Sequence, residues 1–252
     1  MFGSAPRPST GADASATDNG AVTATTRRFL VALLLIATVS SWGARANADV
    51  PPLGAAARSA GFTDVRSVVA SAVIDLRYAT TNNFTHMPLY PADARCLVHE
   101  SMAPGLAAAE KTLASHGGVL VFWDCYRPHD VQVKMFNVVP NPAWVAKPGP
   151  DARSHESGRS VDVTIASAQQ PCPPARQLAG RCLVDMGTDF DDFSPRATAF
   201  ATDGVSPDEQ ANRALLRDAM RAGGLSVYSG EWWHFDGPGA GVGRPILDVP
   251  VD

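Results

Sequence analysis

Apolar and polar positions fall into short blocks of two different periods from residue 49 onward. Val119-Leu120-Val121-Phe122-Trp123 is a continuous apolar run between Gly117-Gly118 and Asp124-Cys125-Tyr126-Arg127-Pro128. Its length and flanks predict a buried strand, and Pro128 ends the pairing with Arg127 left at the strand terminus. Ser160 to Ile165 alternates instead, with Val161, Val163 and Ile165 on one face and Asp162 and Thr164 on the other. Val73 to Tyr78 also reads as a strand, followed by a polar loop from Thr80 to Met87.

Helical spacing shows at Leu106, Ala109 and Leu113, with Pro104 in the first turn and Gly117-Gly118 as the stop. A short helix from about His129 to Phe136 precedes a Pro-rich loop over 140–150. Ser206-Pro207-Asp208-Glu209 is a capping box that opens a helix through Leu215, Leu216, Ala219 and Met220, closed by Gly223-Gly224. Leu225 to Tyr228 and Glu231 to Asp236 predict a terminal hairpin turning at Ser229-Gly230. Residues 49–66 read as a Pro/Ala-rich lead-in and 166–205 as loop. No repeat and no regular βα period is present, so the expected fold is a single α+β domain, its small, mostly antiparallel sheet flanked by helices.

The first 48 residues have another character. Residues 1–26 are rich in Ser, Thr, Ala and Gly and offer too little apolar surface to offset the entropy of ordering. Arg27-Arg28 then precede the apolar run Phe29–Val39, and Ala46-Asn47-Ala48 place small residues ahead of Asp49. This is the order of a secretory signal peptide, and the run is short for about 30 Å of hydrocarbon. Phe29 follows the arginine pair directly, which favours ordinary secretion over a twin-arginine signal. The expectation is a leader plus signal over 1–48 and an exported protein, periplasmic or secreted, over 49–252. An uncleaved anchor is the alternative, and only in that form is a membrane contact expected.

Export changes how composition reads. The chain of 252 residues has 21 Lys+Arg and 25 Asp+Glu; residues 1–48 hold four Arg and two Asp, leaving 17 basic against 23 acidic groups, about −6. Such a surface makes nucleic acid a poor partner. The four Cys, all beyond residue 48, are expected as two disulfides in an oxidising compartment, Cys172 with Cys182 and Cys96 with Cys125. A four-Cys metal site would need closer spacing than they have.

Candidate chemistry gathers in three clusters at element ends: Asp124–Pro128, Ser154–Asp162 and Glu231–Asp236. A loop folded back at Gly158 would bring His155 beside Asp162, and His234 follows Glu231 by three residues. Two His and one Asp make a three-ligand site with an open fourth position, the pattern of a catalytic zinc, which acidifies its bound water. Plainer readings stand beside this one. His155 and Asp162 would also serve as a structural hydrogen-bonded pair, and Arg127 as a surface partner of Asp124 or Asp130. Trp232 and Trp233 suit core or pocket wall. A regular strand would put Glu231 and His234 on opposite faces, so a shared site needs a bend near Gly230. His86, His99, His116 and His129 have no carboxylate at ligand-like spacing. Motifs for a serine nucleophile elbow, a P-loop or a dinucleotide fold are absent from the sequence.

Taken in order, Asp75-Leu76-Arg77-Tyr78-Ala79-Thr80, Tyr126-Arg127-Pro128, Ser154-His155-x-x-Gly158-x-x-Val161-Asp162, Phe190-Asp191-Asp192-Phe193 and Glu231-Trp232-Trp233-His234 resemble the zinc-dependent D-alanyl-D-alanine dipeptidases of peptidase family M15, the group that includes the vancomycin-resistance dipeptidase. Asn83-Phe84-Thr85, Asp185-Met186-Gly187-Thr188 and Asn212-Arg213 extend the likeness, which runs from about Val73 to Phe235.

The resemblance implies one Zn2+ per chain held by His155, Asp162 and His234. It implies Glu231 as general base, Arg127 as stabiliser of the developing oxyanion, and Asp191 with Tyr78 as the pocket for the substrate's free ammonium. The implied activity is hydrolysis of the dipeptide D-Ala-D-Ala to two D-alanines in cell-wall metabolism or glycopeptide resistance. A D,D- or L,D-carboxypeptidase of the same zinc fold is the alternative, with a non-catalytic peptidoglycan-binding protein behind it. The sequence departs from its relatives at Glu156-Ser157, where Arg commonly precedes the glycine, and at Ser160, commonly Ala. Both departures are expected at the pocket rim. The loop from Ile165 to Leu183, with its expected disulfide, is also set apart from cytoplasmic relatives.

Overall fold

In the computed structural model, which describes residues 50–252, the chain runs in order through α1 (Ala55–Ser59), β1 (Phe62–Asp64), β2 (Val73–Ile74), β3 (Leu97–His99), α2 (Ala103–Ala114), β4 (Gly118–Asp124), α3 (His129–Val138), β5 (Ser160–Ser167), β6 (Gln177–Leu178), β7 (Arg181–Leu183), α4 (Pro207–Ala222), β8 (Ser226–Val227) and β9 (His234–Asp236). The expected leader and signal segment lie outside the described residues. No helix among the described residues is long and apolar enough to cross a membrane.

β5 organises the main sheet, whose strand order is β2-β4-β5-β7-β6, with β9 beside the first half of β5 and β8 outside β9. β2 runs parallel to β4 and every other pairing is antiparallel. β1 and β3 form a separate antiparallel pair. The class is α+β, as the sequence predicts.

Val161, Val163 and Ile165 join Leu106 and Leu113 of α2 and Leu216 and Met220 of α4 in one buried core. Fully burying each such side chain contributes roughly 1.5–3 kcal/mol. α2 meets the end of α4 closely because Gly105 of α2 faces Gly223, the residue that caps α4: a Cβ on Gly105 would sit 2.6 Å from the Gly223 carbonyl oxygen. The capping box at the start of α4 is formed, with Glu209 N–H donating to Ser206 Oγ and Ser206 N–H donating to Glu209 Oε2.

Register decides where the functional groups fall. β4 and β5 pair Phe122 with Val163 and then Asp124 with Asp162, so a bulge at Trp123 advances Asp124 by one residue. On its other edge β5 pairs Asp162 with His234 of β9. Asp124, Asp162 and His234 therefore stand in a row across three strands at one end of the sheet.

Several boundaries differ from the sequence expectation. Only Val73 and Ile74 of the Val73–Tyr78 segment pair as strand; Asp75 N–H reaches Phe122 O at 3.0 Å, and Arg77–Ala79 then turn as a 3-10 helix. The expected hairpin is shorter, because Trp232 N–H leaves it to donate to Ala197 O at 3.0 Å and only His234–Asp236 pair as strand. The lead-in contains α1 and β1, and the segment read as loop contains the β6–β7 hairpin, turned by Ala179 and Gly180 at φ 49° and 74°. Both expected disulfides are present, Cys96–Cys125 and Cys172–Cys182, with Cα separations of 5.2 and 5.5 Å.

Candidate active site

Three elements deliver the central triad. Asp162 projects from β5, His234 opens β9, and His155 lies in a 3-10 turn, Ser154–Ser157. That turn closes at Gly158, which has φ +65° and donates its N–H to His155 O at 2.9 Å; a Cβ there would strike the Phe62 ring. The bend over residues 229–233 removes the strand-face objection, since Glu231 is not part of β9. His155 Nε2 lies 3.2 Å from Asp162 Oδ1, His234 Nδ1 lies 3.0 Å from the same oxygen, and the two ring nitrogens are 3.0 Å apart. All three residues are buried.

The outer nitrogens fix what the inner ones offer. His155 Nδ1 donates to the Cys125 carbonyl at 2.7 Å and His234 Nε2 donates to Asp236 Oδ1 at 3.1 Å, so each ring turns its other nitrogen towards Asp162. Two imidazole lone pairs and a carboxylate oxygen converging this closely repel one another unless a positive centre lies among them. Burial disfavours a charged His234, but its hydrogen bonds to Asp162 and Asp236 push its pKa up to about 10. Burial likewise raises the Asp162 carboxyl, and the two histidines more than reverse this, holding it far below the usual carboxylate range. The donor set, two nitrogens and one oxygen with hydrogen-bonded outer partners, fits a divalent cation such as zinc.

Glu231 Oε2 stands 3.8 Å from His234 Nδ1. Burial pushes its carboxyl up and Asp162 adds to this, while His234 opposes it. Arg127 does pair with Asp124, one of the plainer readings, but it does so inside the cavity wall. Its Nε and Nη2 both donate to Asp124 Oδ2, at 3.0 and 2.6 Å, and its Nη1 donates to Gln132 Oε1 at 2.7 Å. Asp124 is fully buried and its other oxygen accepts from Tyr90 Oη at 2.6 Å. Its place opposite Asp162, set by the bulge, is the feature the sequence did not reveal.

The hydroxyl of Tyr78 donates to Asp191, 3.0 Å from each carboxylate oxygen. Asp191 has φ +57°, an uncommon conformation that aims its side chain into the cavity. Burial, followed by the charge of Asp162, pushes this carboxyl well above the usual range, with Tyr78 and Arg127 opposing. The triad, Glu231, Arg127, Tyr78 and Asp191 all line one cavity of about 540 Å³. Its outer wall is the 139–150 loop, where Trp144 stacks on Phe193 with ring centroids 5.1 Å apart.

All seven sequence-derived site residues thus meet in one place. Asp236 and Gln132 were not singled out from sequence; Asp236 follows His234 by two residues, so strand periodicity alone sets it on the same face. Glu156 reaches the rim and pairs with His129 at 2.6 Å. Ser160 corrects the expectation, since it is fully buried and links Ser154 to Asp236 behind His234. His99 belongs to a separate contact with Arg159.

Residues 58–252 match the family model described as D-ala-D-ala dipeptidase. The D-alanyl-D-alanine dipeptidase of Escherichia coli (strain K12) is 33% identical over 186 residues, covering 74% of this chain and 89% of that protein. Those of Enterococcus faecium and Streptomyces coelicolor are 29% and 30% identical, each covering 69% of this chain and 90% of the relative. With the site geometry and these matches together, the chain belongs to the D-Ala-D-Ala dipeptidases of the M15 peptidase family.

Proposed function

We propose that this protein is an exported zinc dipeptidase that hydrolyses D-Ala-D-Ala to two D-alanines. The observation that carries the reading is the convergence of His155, Asp162 and His234 in the same cavity as Glu231, Arg127 and Asp191. His155 Nε2, Asp162 Oδ1 and His234 Nδ1 would hold the metal. Zinc bound there supplies Lewis-acid polarisation of a carbonyl and lowers the pKa of water towards about 7.

The chain's own groups supply the rest. Asp191, oriented by Tyr78, accepts the substrate's free ammonium and sets which amide bond reaches the triad. An acylated amine would leave this carboxylate unpaired, which selects dipeptides over longer chains. Glu231 takes the proton of the attacking water and returns it to the leaving amine; burial pushes its carboxyl above the ordinary carboxylate value, which makes it a better proton acceptor than an exposed glutamate. The guanidinium of Arg127, held by Asp124, donates to the oxygen of the scissile carbonyl as it gains charge.

The Arg27-Arg28, apolar run and Ala46-Asn47-Ala48 order supports export, and two disulfides suit an oxidising compartment. Release of D-alanine then serves cell-wall metabolism or glycopeptide resistance. The test is to assay the purified protein with free D-Ala-D-Ala beside a peptidoglycan pentapeptide stem ending in D-Ala-D-Ala. Faster cleavage of the dipeptide is expected. Faster release of D-alanine from the pentapeptide would instead make the protein a carboxypeptidase of the same fold.

A further inference from the structure

We infer that Gln132 is a positioning residue for the same reaction, a strut that fixes the plane of the Arg127 guanidinium against the 139–150 loop; the inference rests on the dipeptidase reading above. A guanidinium has five N–H donors. On Arg127, Nε and Nη2 each spend one on Asp124, and both bonds end on the same atom, Oδ2. Two bonds to a single oxygen fix the plane of the fork less firmly than bonds to two, and the other carboxylate nearby, Asp162 Oδ2, is 3.9 Å from Nη2, beyond hydrogen-bond reach. The second oxygen of Asp124 does not correct this, because it is occupied by Tyr90 Oη at 2.6 Å.

The missing second point is Gln132. Its Oε1 accepts from Arg127 Nη1 at 2.7 Å, on the far side of the guanidinium from Asp124. Its Nε2 donates to the carbonyl of Ala146 at 2.6 Å, in the loop that walls the cavity. Gln132 is 2% exposed and sits in the first turn of α3, which opens just after Arg127 and Pro128. The Tyr78 ring, 5.4 Å from Arg127 Cζ, supports the guanidinium from a face but does not set its rotation in the plane. Held at Oδ2 and at Oε1, the fork keeps one N–H on Nη1 and one on Nη2 uncommitted by these contacts. These are the donors a developing oxyanion would use. Because the same amide ties down Ala146, the loop and the guanidinium take up their positions together.

The test compares two substitutions in zinc-loaded protein. Gln132→Met keeps the volume and removes both contacts, whereas Gln132→Glu keeps an acceptor for Arg127 and loses the donor to Ala146. Wild-type turnover of D-Ala-D-Ala is measured first; if there is none, the dipeptidase reading fails and not the strut. Given turnover, Gln132→Met is expected to lower kcat about 10–100-fold with KM within about threefold, the size of effect that misplacing a transition-state donor produces. A phosphinate analogue, with phosphorus in place of the scissile carbon, should lose affinity by the same factor, while zinc content stays at one per chain. Gln132→Glu should recover at least fivefold of the lost kcat. If the Met variant does not fold, Gln132→Asn, one methylene too short to reach Arg127, carries the same expectation. An unchanged kcat, a loss confined to KM, a parallel loss of zinc, or Glu no better than Met would each overturn the assignment.

Discussion

The Cys125 carbonyl accepts the Nδ1 proton of His155 at 2.7 Å, and the same Cys125 is bonded to Cys96. The disulfide therefore ties the approach to β3 to the backbone that orients a proposed metal ligand. Leu97 O reinforces the tie by accepting from Tyr126 N–H at 2.8 Å. Replacing both cysteines by alanine should cost about 2–4 kcal/mol in denaturant unfolding, since the bridge closes a loop of 29 residues. It should also weaken zinc binding by up to about tenfold, because the carbonyl that accepts from His155 stays in the chain but loses the bridge that holds its backbone in place. Competition against a chromogenic chelator reads the second effect. Zinc affinity equal to wild type would mean that the carbonyl holds its place without the bridge.

Asp64 gives a pH-dependent stability that is independent of the site. It is buried and accepts from Arg66 at 2.9 Å and from Arg95 at 2.8 Å, and Arg95 in turn holds the carbonyl of Pro51. Burial raises its carboxyl, but the two guanidiniums outweigh this and leave the pKa below the usual value. A folded-state pKa below the unfolded one adds stability that is fully present above about pH 4 and fades as pH falls towards the folded value. Asp64→Asn should therefore lower stability by on the order of 1–3 kcal/mol at pH 7, reduced from the cost of a fully buried pair because Arg66 is part exposed. The gap between variant and wild type should narrow in melts below pH 4. A constant gap from pH 7 to pH 3 would assign the loss to packing and not to charge.

The parts of this architecture carried by local period were legible in the sequence. β5 alternates as read, and Ser206 and Glu209 cap α4 as the motif requires. Long-range pairing was not legible. Nothing local reveals that Trp232 N–H bonds Ala197 O, yet this contact supplies the bend that lets Glu231 and His234 share a cavity. The turn at Arg77 is equally a tertiary effect: its guanidinium lies over the Trp123 ring at 4.9 Å and pairs with Asp75, which pulls the chain out of the sheet two residues after β2 begins to pair. His155, Asp162, Glu231, His234 and Arg127 were visible as polar clusters at element ends, whereas Tyr78 and Asp191 came only from the family resemblance. Their convergence depends on the bulge at Trp123 and on Gly158, and of these only Gly158 had a signal in the sequence.

Glu231 should separate chemistry from metal binding. Its Oε2 stands 3.8 Å from His234 Nδ1, beside the converging donor set of His155, Asp162 and His234 and not part of it. Glu231→Gln is expected to retain one zinc per chain and to lower kcat by about 10²–10⁴-fold, the range for loss of a general base. Zinc content by atomic absorption and turnover of D-Ala-D-Ala give the two readings. Loss of zinc together with activity would place Glu231 among the ligands, and full activity would remove it from the mechanism.

Asp191 and Tyr78 make a prediction about the substrate end. The carboxylate receives one hydroxyl at 3.0 Å from both its oxygens and carries no direct ion pair with any cation among the described residues. Half-buried in the cavity wall and partly desolvated there, this carboxylate bears an unpaired negative charge at a cost, so an incoming ammonium supplies the missing partner. Asp191→Asn keeps the shape and the contact with Tyr78 while removing the charge. Its kcat/KM for D-Ala-D-Ala should fall about 10²-fold or more, mainly through KM, and its discrimination against N-acetyl-D-Ala-D-Ala should shrink, because the neutral amide no longer leaves a buried charge unpaired. Tyr78→Phe should show the same trend more weakly, since it removes the hydroxyl that orients the carboxylate and leaves the charge in place. If Asp191→Asn lowered kcat alone and still rejected the acetylated dipeptide as wild type does, the ammonium would have to be held elsewhere in the cavity.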